Sequence, residues 1–144
     1  MPHDIAIREL TEDLIDERFL ETLGHLSSVE GLDVAGARNI LRAQKAIGLR
    51  TFVAFDGETI VGSATLIVEP KFIHAGGLVA HIEDVVVHGD AQGRGIGKAL
   101  VEHATSEAKK AGCYKAILAC TEANKPFYEK CGYRAHEIEM RRDL

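Results

Sequence analysis

The sequence is short of cysteine, of basic charge and of long apolar runs, and each shortage excludes a class of protein. Its three cysteines, Cys113, Cys120 and Cys131, are odd in number and unclustered. That spacing gives neither a disulfide framework nor a zinc site, and it suits a reducing compartment, so a cytoplasmic location is expected. As small, weakly polar side chains the cysteines are expected in the core. Lys and Arg are outnumbered by Asp and Glu, giving a formal charge of −5 with no basic block, which argues against a nucleic-acid face. No apolar run approaches a membrane span, and Met1-Pro2-His3-Asp4 lacks the pattern of a secretory leader. The seven histidines form no metal-ligand cluster, so no metal is expected; His103 reads as a solvent-facing helix residue. With no repeat, low-complexity tract or linker, residues 1–144 read as one domain, long enough to bury roughly two thirds of its unfolded surface.

What is present centres on the stretch from Asp84 to Leu100. Val85, Val86 and Val87 suit a strand covered on both faces. From Ile96 the apolar period changes to that of a helix, with Ile96, Leu100, Ala104, Ala108 and Ala111 on one stripe and Gly112 as a stop. Between strand and helix stand Gly93, Gly95 and Gly97. Glycines there let the backbone approach a ligand closely, and the first helical turn adds unpaired N–H donors and the positive end of the helix dipole. The result is a cradle for phosphate or pyrophosphate. A Walker loop would need glycine at Gln92 and Ser or Thr at Ala99, and a dinucleotide fingerprint would need glycine at Lys98, so both fail. Gln92-x-x-Gly95-x-Gly97 remains.

The rest of the chain supplies a mixed sheet. Ile5–Ile7 predicts an edge strand. Leu14, Ile15, Phe19, Leu23 and Leu26 predict one helix from Thr11 to Leu26, capped by Thr11. A second helix is predicted over Val34–Ile47. Thr51–Phe55 and Thr59–Val68 flank the turn Asp56-Gly57-Glu58 as a hairpin, and a strand comes next over Leu78–Val87. Beyond the central helix come a strand at Lys115–Cys120, a short helix at Lys125–Lys130 and a final strand at Tyr133–Arg142. The strand–helix–strand unit from Leu78 to Cys120 should be parallel with a right-handed crossover. The fold class is therefore α/β, a central twisted mixed sheet flanked by helices. Glu83 and Asp84 are paired acids within an apolar strand and need a reason to be there. On a regular strand they would point to opposite faces, so both reach one ligand only if a bulge intervenes.

The Gln92-x-x-Gly95-x-Gly97 loop resembles the coenzyme A pyrophosphate loop of the GNAT family of N-acetyltransferases, and Asn124-Lys125-Pro126-Phe127-Tyr128 with Gly132-Tyr133 is similar to that family's second conserved segment. The resemblance implies the GNAT fold, in which the strands on either side of the central helix splay apart around acetyl-CoA. It implies that Gln92, Gly93, Arg94, Gly95, Ile96, Gly97 and Lys98 hold the pyrophosphate. It further implies that Val85, Val86, Val87 and His88 present backbone groups to the pantetheine arm, and that Asn124, Tyr128 and Lys130 border the coenzyme. Tyr128 would give a proton to the departing thiolate. Asn124 bonds the arm or simply caps the helix.

Glu69-Pro70-Lys71-Phe72-Ile73-His74, His81-Ile82-Glu83-Asp84-Val85-Val86-Val87 and Phe127 to Tyr133 look most like the branch of the family that acetylates glucosamine 6-phosphate. For that acceptor the resemblance implies Glu83, Asp84, Lys71, His74, Ser28 and Arg142 or Arg141 as binding residues, an arginine reaching in from the other subunit of a homodimer. Glu83 and the Ala119 carbonyl would help to deprotonate the amine. Where close members of that branch carry an acid, this chain has Ala119, which keeps only the backbone group. Other amines (a polyamine, an aminoglycoside, an amino acid, a protein terminus) and a noncatalytic acetyl-CoA-binding module remain as alternatives.

Overall fold

The computed structural model describes residues 4–144, and the leader-free reading of residues 1–3 lies outside them. The chain runs β1 (Ile5–Glu9), α1 (Glu17–Gly24), α2 (Val34–Ala46), β2 (Arg50–Asp56), β3 (Thr59–Pro70), β4 (Leu78–Val87), α3 (Ile96–Lys110), β5 (Cys113–Ile117) and α4 (Lys125–Lys130). The strands form one sheet in the order β1-β2-β3-β4-β5. Short turns join β2, β3 and β4, which pair antiparallel; α3 carries the chain across the sheet, so β5 pairs parallel to β4.

Alternation along the strands divides the core between two faces. Phe52, Ala54, Ala64, Leu66, Ala80 and Ile82 meet Ile96, Leu100, Ala104 and Ala108 of α3. Val53, Phe55 and Ile60 meet Phe19, Leu20, Ala37 and Leu41 of α1 and α2. Gly62 sets the depth at which α3 seats: a Cβ there would lie 2.8 Å from Leu100 Cδ1 and 3.1 Å from the Val86 carbonyl.

Two irregularities in β4 shape the middle of the molecule. Ser63 pairs with Val86 and Thr65 with Glu83, so Ala64 stands opposite both Asp84 and Val85. This is a β-bulge, and Asp84 within it adopts a left-handed backbone, φ 51°. Further, β4 and β5 pair only as far as His81 and Ile117, while β4 continues to Val87. The two strands part beyond that point, as the family resemblance implied.

The structure corrects several expectations. The single helix from Thr11 to Leu26 is a short 3₁₀ turn, Glu12–Leu14, followed by α1. Asp16 breaks the run: its extended backbone and a side-chain bond from the Phe19 amide (2.9 Å) make it the N-cap, whereas the Thr11 hydroxyl turns to Asp13. β5 begins at Cys113 and stops at Ile117, because only that stretch has β4 to pair with. The final strand over Tyr133–Arg142 is absent. Ile138 and Met140 keep the alternating pattern but are 86% and 88% exposed, with no neighbouring strand to receive them. His103 is half-buried, its ring edge-on to Phe52 at 4.8 Å. Cys120 is exposed rather than in the core. Among the described residues no helix is long and apolar enough to cross a membrane.

Candidate active site

The parting of β4 from β5 opens a notch, and the glycine loop lies at its end. Gly93 and Gly95 have φ of 79° and 77°, conformations that L side chains rarely adopt, and they swing the loop from β4 into the first turn of α3. The amides from Gly93 to Lys98 donate to no main-chain carbonyl among the described residues. With the dipole of a 15-residue helix behind them, they form a donor array suited to a diphosphate. A Cβ on Gly97 would lie 3.2 Å from Phe127 Cζ and 3.5 Å from Val87 Cγ2, so the loop is packed to the limit that glycine permits. These features fit the pyrophosphate and arm of coenzyme A.

The side chains of the loop have structural partners. Gln92 Nε2 donates to the Val87 carbonyl at 3.3 Å and closes the turn. Arg94 pairs with Asp56 at 2.8 Å, and Lys98 lies 3.7 Å from Glu102. Ile96 is buried against the sheet. The expectation that His88 presents its backbone outward is corrected: its amide donates to the Val61 carbonyl (2.9 Å) and its carbonyl accepts from Ala91 (2.9 Å). Val85, Val86 and Val87 differ from it, since the edge of β4 that faces β5 has no strand partner there among the described residues.

Across the notch, β5 gives way to an unpaired stretch that carries Ala119, exposed, and then to α4. Thr121 caps the preceding turn by accepting from the Asn124 amide (3.3 Å), while the Asn124 side chain makes no cap bond and is left for other work. Lys130 is exposed in the last turn of α4. Tyr128 is half-buried, with Phe127 and Tyr133 edge-on at 4.9 and 6.5 Å. The hydroxyl of Tyr133 lies 2.6 Å from Thr105 Oγ1, which ties this segment to α3. Burial pushes the Tyr128 phenol up from its ordinary value, so it holds its proton at neutral pH.

On the other side of the sheet the bulge has a chemical consequence. Glu83 stands opposite Thr65, and Asp84 lines a cavity with Ser63 and Thr65. Two successive carboxylates therefore share the face covered by α1 and α2, beside the start of the notch. The remaining expected acceptor residues are dispersed. Ser28 lies between α1 and α2, its hydroxyl accepting from the Glu30 amide at 3.2 Å. Lys71 pairs with Glu69 (3.2 Å), which also meets His81 (2.8 Å); these contacts, His81 first, hold the Glu69 carboxyl below its usual range. His74 stacks on Tyr114 with centroids 4.3 Å apart. Both sit in the loop before Leu78, and the five steps from Leu78 to Glu83 span about 17 Å of strand. Arg141 pairs with Asp143, and Arg142 is exposed on the unpaired carboxy-terminal segment. Within one chain, Lys71, His74 and Arg142 are not brought to the carboxylates.

Sequence reasoning missed Arg18. From α1 its Nε donates to the Ile60 carbonyl (2.8 Å) and its two terminal nitrogens to Asp90 (3.2 and 2.9 Å), just before the glycine loop. An arginine on an amphipathic helix reads as a solvated charge, and nothing local signals a partner 72 residues away. The Arg18 guanidinium holds the Asp90 carboxyl below the usual range.

A notch between parted strands, closed by a glycine cradle at a helix start and flanked by a protonated phenol, is the arrangement of an acyltransferase that draws on acyl-coenzyme A. The family comparison agrees: residues 10–133 match the acetyltransferase (GNAT) family, and the chain belongs to it. A glucosamine 6-phosphate N-acetyltransferase of Trypanosoma brucei brucei is 43% identical over 143 residues, 98% of this chain and 97% of that protein. A crystal structure of a Trypanosoma brucei acetyltransferase matches with a TM-score of 0.91 at 43% identity, covering 98% of this chain and 100% of that one. That of glucosamine-6-phosphate N-acetyltransferase from Arabidopsis thaliana matches at 0.92 with 31% identity, covering 97% and 98%.

Proposed function

We propose that this protein acetylates the 2-amino group of glucosamine 6-phosphate, releasing N-acetylglucosamine 6-phosphate and coenzyme A, by direct transfer in a ternary complex. The observation that carries the reading is the bulge in β4. It puts Glu83 and Asp84 on one face, next to an unpaired strand edge that leads to the glycine cradle. An amino sugar phosphate asks for carboxylates at its amine and hydroxyls and for cations at its phosphate.

Acetyl-CoA supplies the acetyl group as a thioester; the amides from Gly93 to Lys98 and the edge of Val85–Val87 would hold it. The amine reaches the site as an ammonium ion and must lose a proton to become a nucleophile. Glu83 or Asp84 takes that proton, directly or through water, while the Ala119 carbonyl accepts an amine N–H and aims the lone pair. A positioned base contributes about 10²- to 10⁴-fold, and holding both reactants in place contributes more. Tyr128 gives its phenolic proton to the departing sulfur. In the test, thiol release is followed with glucosamine 6-phosphate and with glucosamine. Turnover with the phosphate ester at a far lower KM is expected; equal rates on both would refute the phosphate argument.

The reading includes a cytoplasmic homodimer built from single domains. Lys71 and His74 stand too far along β4 from the carboxylates of their own chain. The same loop exposes Phe72 (104%) and Ile73 (61%), and the carboxy-terminal segment shows an alternating strand pattern without a strand to join. A second copy would cover both and complete the acceptor site. Mixing Lys71→Ala chains with Tyr128→Phe chains should restore activity that neither has alone. A monomer by light scattering would overturn the dimeric reading.

A further inference from the structure

The sheet face under α1 and α2 carries a polar row in an otherwise apolar interior. Thr51, Thr65 and Glu83 are in register across β2, β3 and β4, with Ser63 next to Thr65 on the same face. Beside them lies a cavity of about 130 Å³, lined by apolar side chains together with Gln44, Thr51, Ser63, Thr65 and Asp84. Thr51 donates to Gln44 Oε1 at 3.0 Å. Ser63 is 2% exposed and Thr65 7%, and neither hydroxyl has a protein partner among the described residues. No fully sealed side-chain polar atom among those residues goes unpaired, so both hydroxyls open onto space that water can reach. Buried hydroxyls facing a largely apolar cavity are costly unless something in the cavity bonds them. The volume is below the roughly 300 Å³ of a small-molecule site. It is ample for several waters, and five polar groups surround it to anchor them.

The cavity is lined by Asp84 at the bulge and also by Gln44 and the exposed Ile40 of α2. We propose that it holds a water chain that carries the acceptor's proton away, with Ser63 and Thr65 as positioning residues for that chain; this rests on the function proposed above. The reaction releases one proton net. An N–H bond of the ammonium breaks, its electron pair stays on nitrogen, and an O–H bond forms on Asp84. The nitrogen then bonds the acetyl carbon as the carbon–sulfur bond breaks, the sulfur takes the Tyr128 proton, and the acylated nitrogen gives its surplus proton back to the Tyr128 phenolate. Asp84 must return to its carboxylate before the next turnover. Water bonded to Ser63 and Thr65 accepts the proton and relays it past Thr51 to solvent. The left-handed backbone of Asp84 is what turns its side chain toward this water rather than to the opposite face.

The test compares wild type with Ser63→Ala, Thr65→Val, Thr65→Ser and the double S63A/T65V variant. Activity is measured on glucosamine 6-phosphate in H₂O and D₂O, and melting temperatures confirm the fold. The double variant should lose about tenfold or more in kcat, with KM for both substrates within about twofold and a changed solvent isotope effect. Thr65→Ser should recover most of the rate. Should the double variant itself fold poorly, Ser63→Ala, the smaller change, should still shift the isotope effect. Wild-type kcat and isotope effect in the folded variants would overturn the relay, as would Thr65→Ser being as slow as Thr65→Val, which indicates packing. A wild type that releases no thiol with this acceptor counts against the substrate reading; an active enzyme indifferent to the two hydroxyls counts against the relay alone.

Discussion

The two halves of the site are built differently. On the proposed reading the coenzyme half is nearly contiguous: one stretch from Val85 to Lys98 and a second from Asn124 to Tyr133 furnish the cradle, the strand edge and the phenol, all within one chain. On the same proposed reading the acceptor half draws on Ser28, on Lys71 and His74, on Glu83 and Asp84, and on an arginine near the carboxy terminus, and one chain does not gather them. The generic part of the reaction, holding a thioester, is thus a local property of one strand–loop–helix. Recognition of a particular amine is a property of long-range packing and, on the proposed reading, of a second copy. Such a division lets acceptors change without disturbing the cradle.

Three substitutions probe this division. The largest effect is expected from Tyr128→Phe: a loss of kcat of about 10²-fold or more with coenzyme A affinity by calorimetry unchanged. Full activity would reduce Tyr128 to a packing residue. Gly97→Val comes next. The added side chain has Phe127 Cζ at 3.2 Å from its Cβ, so overpacking of about 1–3 kcal/mol should weaken coenzyme A about 10- to 100-fold. The KM for the acceptor should hardly move; if it rises equally, the halves are not separable. The smallest effect belongs to Arg18→Met, which removes the tie between α1 and the loop. KM for acetyl-CoA should rise about threefold to tenfold, a modest effect because the lost charged hydrogen bonds are partly exposed.

Arg18→Met also has a pH signature. Asp90 is depressed in the folded state by Arg18, so the pair's contribution is fully present above the ordinary aspartate value of about 3.9 and is lost as pH falls through the lowered one. The gap in melting temperature between wild type and variant should therefore hold across neutral pH and close only below that range. A gap that closes within the neutral range would show that a group other than Asp90 sets it.

The sequence told most about local features. The glycine loop, the hairpin at Asp56-Gly57-Glu58 and the boundaries of β4 and α4 were legible because turn chemistry and apolar period act over a few residues. The paired acids made a bulge the condition for both to reach one ligand, since a regular strand would point them to opposite faces, and the register shows a bulge there. The division of Thr11–Leu26 was not legible. Leu14 and Ile15 keep the helical spacing across the break, and only the competition between Thr11 and Asp16 as caps decides it. The final strand failed for another reason: alternation shows that a segment can be a strand, but a strand needs a neighbour. Arg18 and the hydroxyls of Ser63 and Thr65 gave no local sign, because their meaning lies in what folds against them.

The unpaired edge of β4 has a consequence for the life of the protein. On the proposed reading donors and acceptors there receive a ligand arm instead of a neighbouring strand, so occupancy would complete a sheet that folding leaves open. Resistance to heat and proteolysis should then climb with the logarithm of coenzyme concentration. A cell starved of acetyl-CoA would hold this enzyme in its most fragile form, and abundance would track metabolic supply without any dedicated regulator.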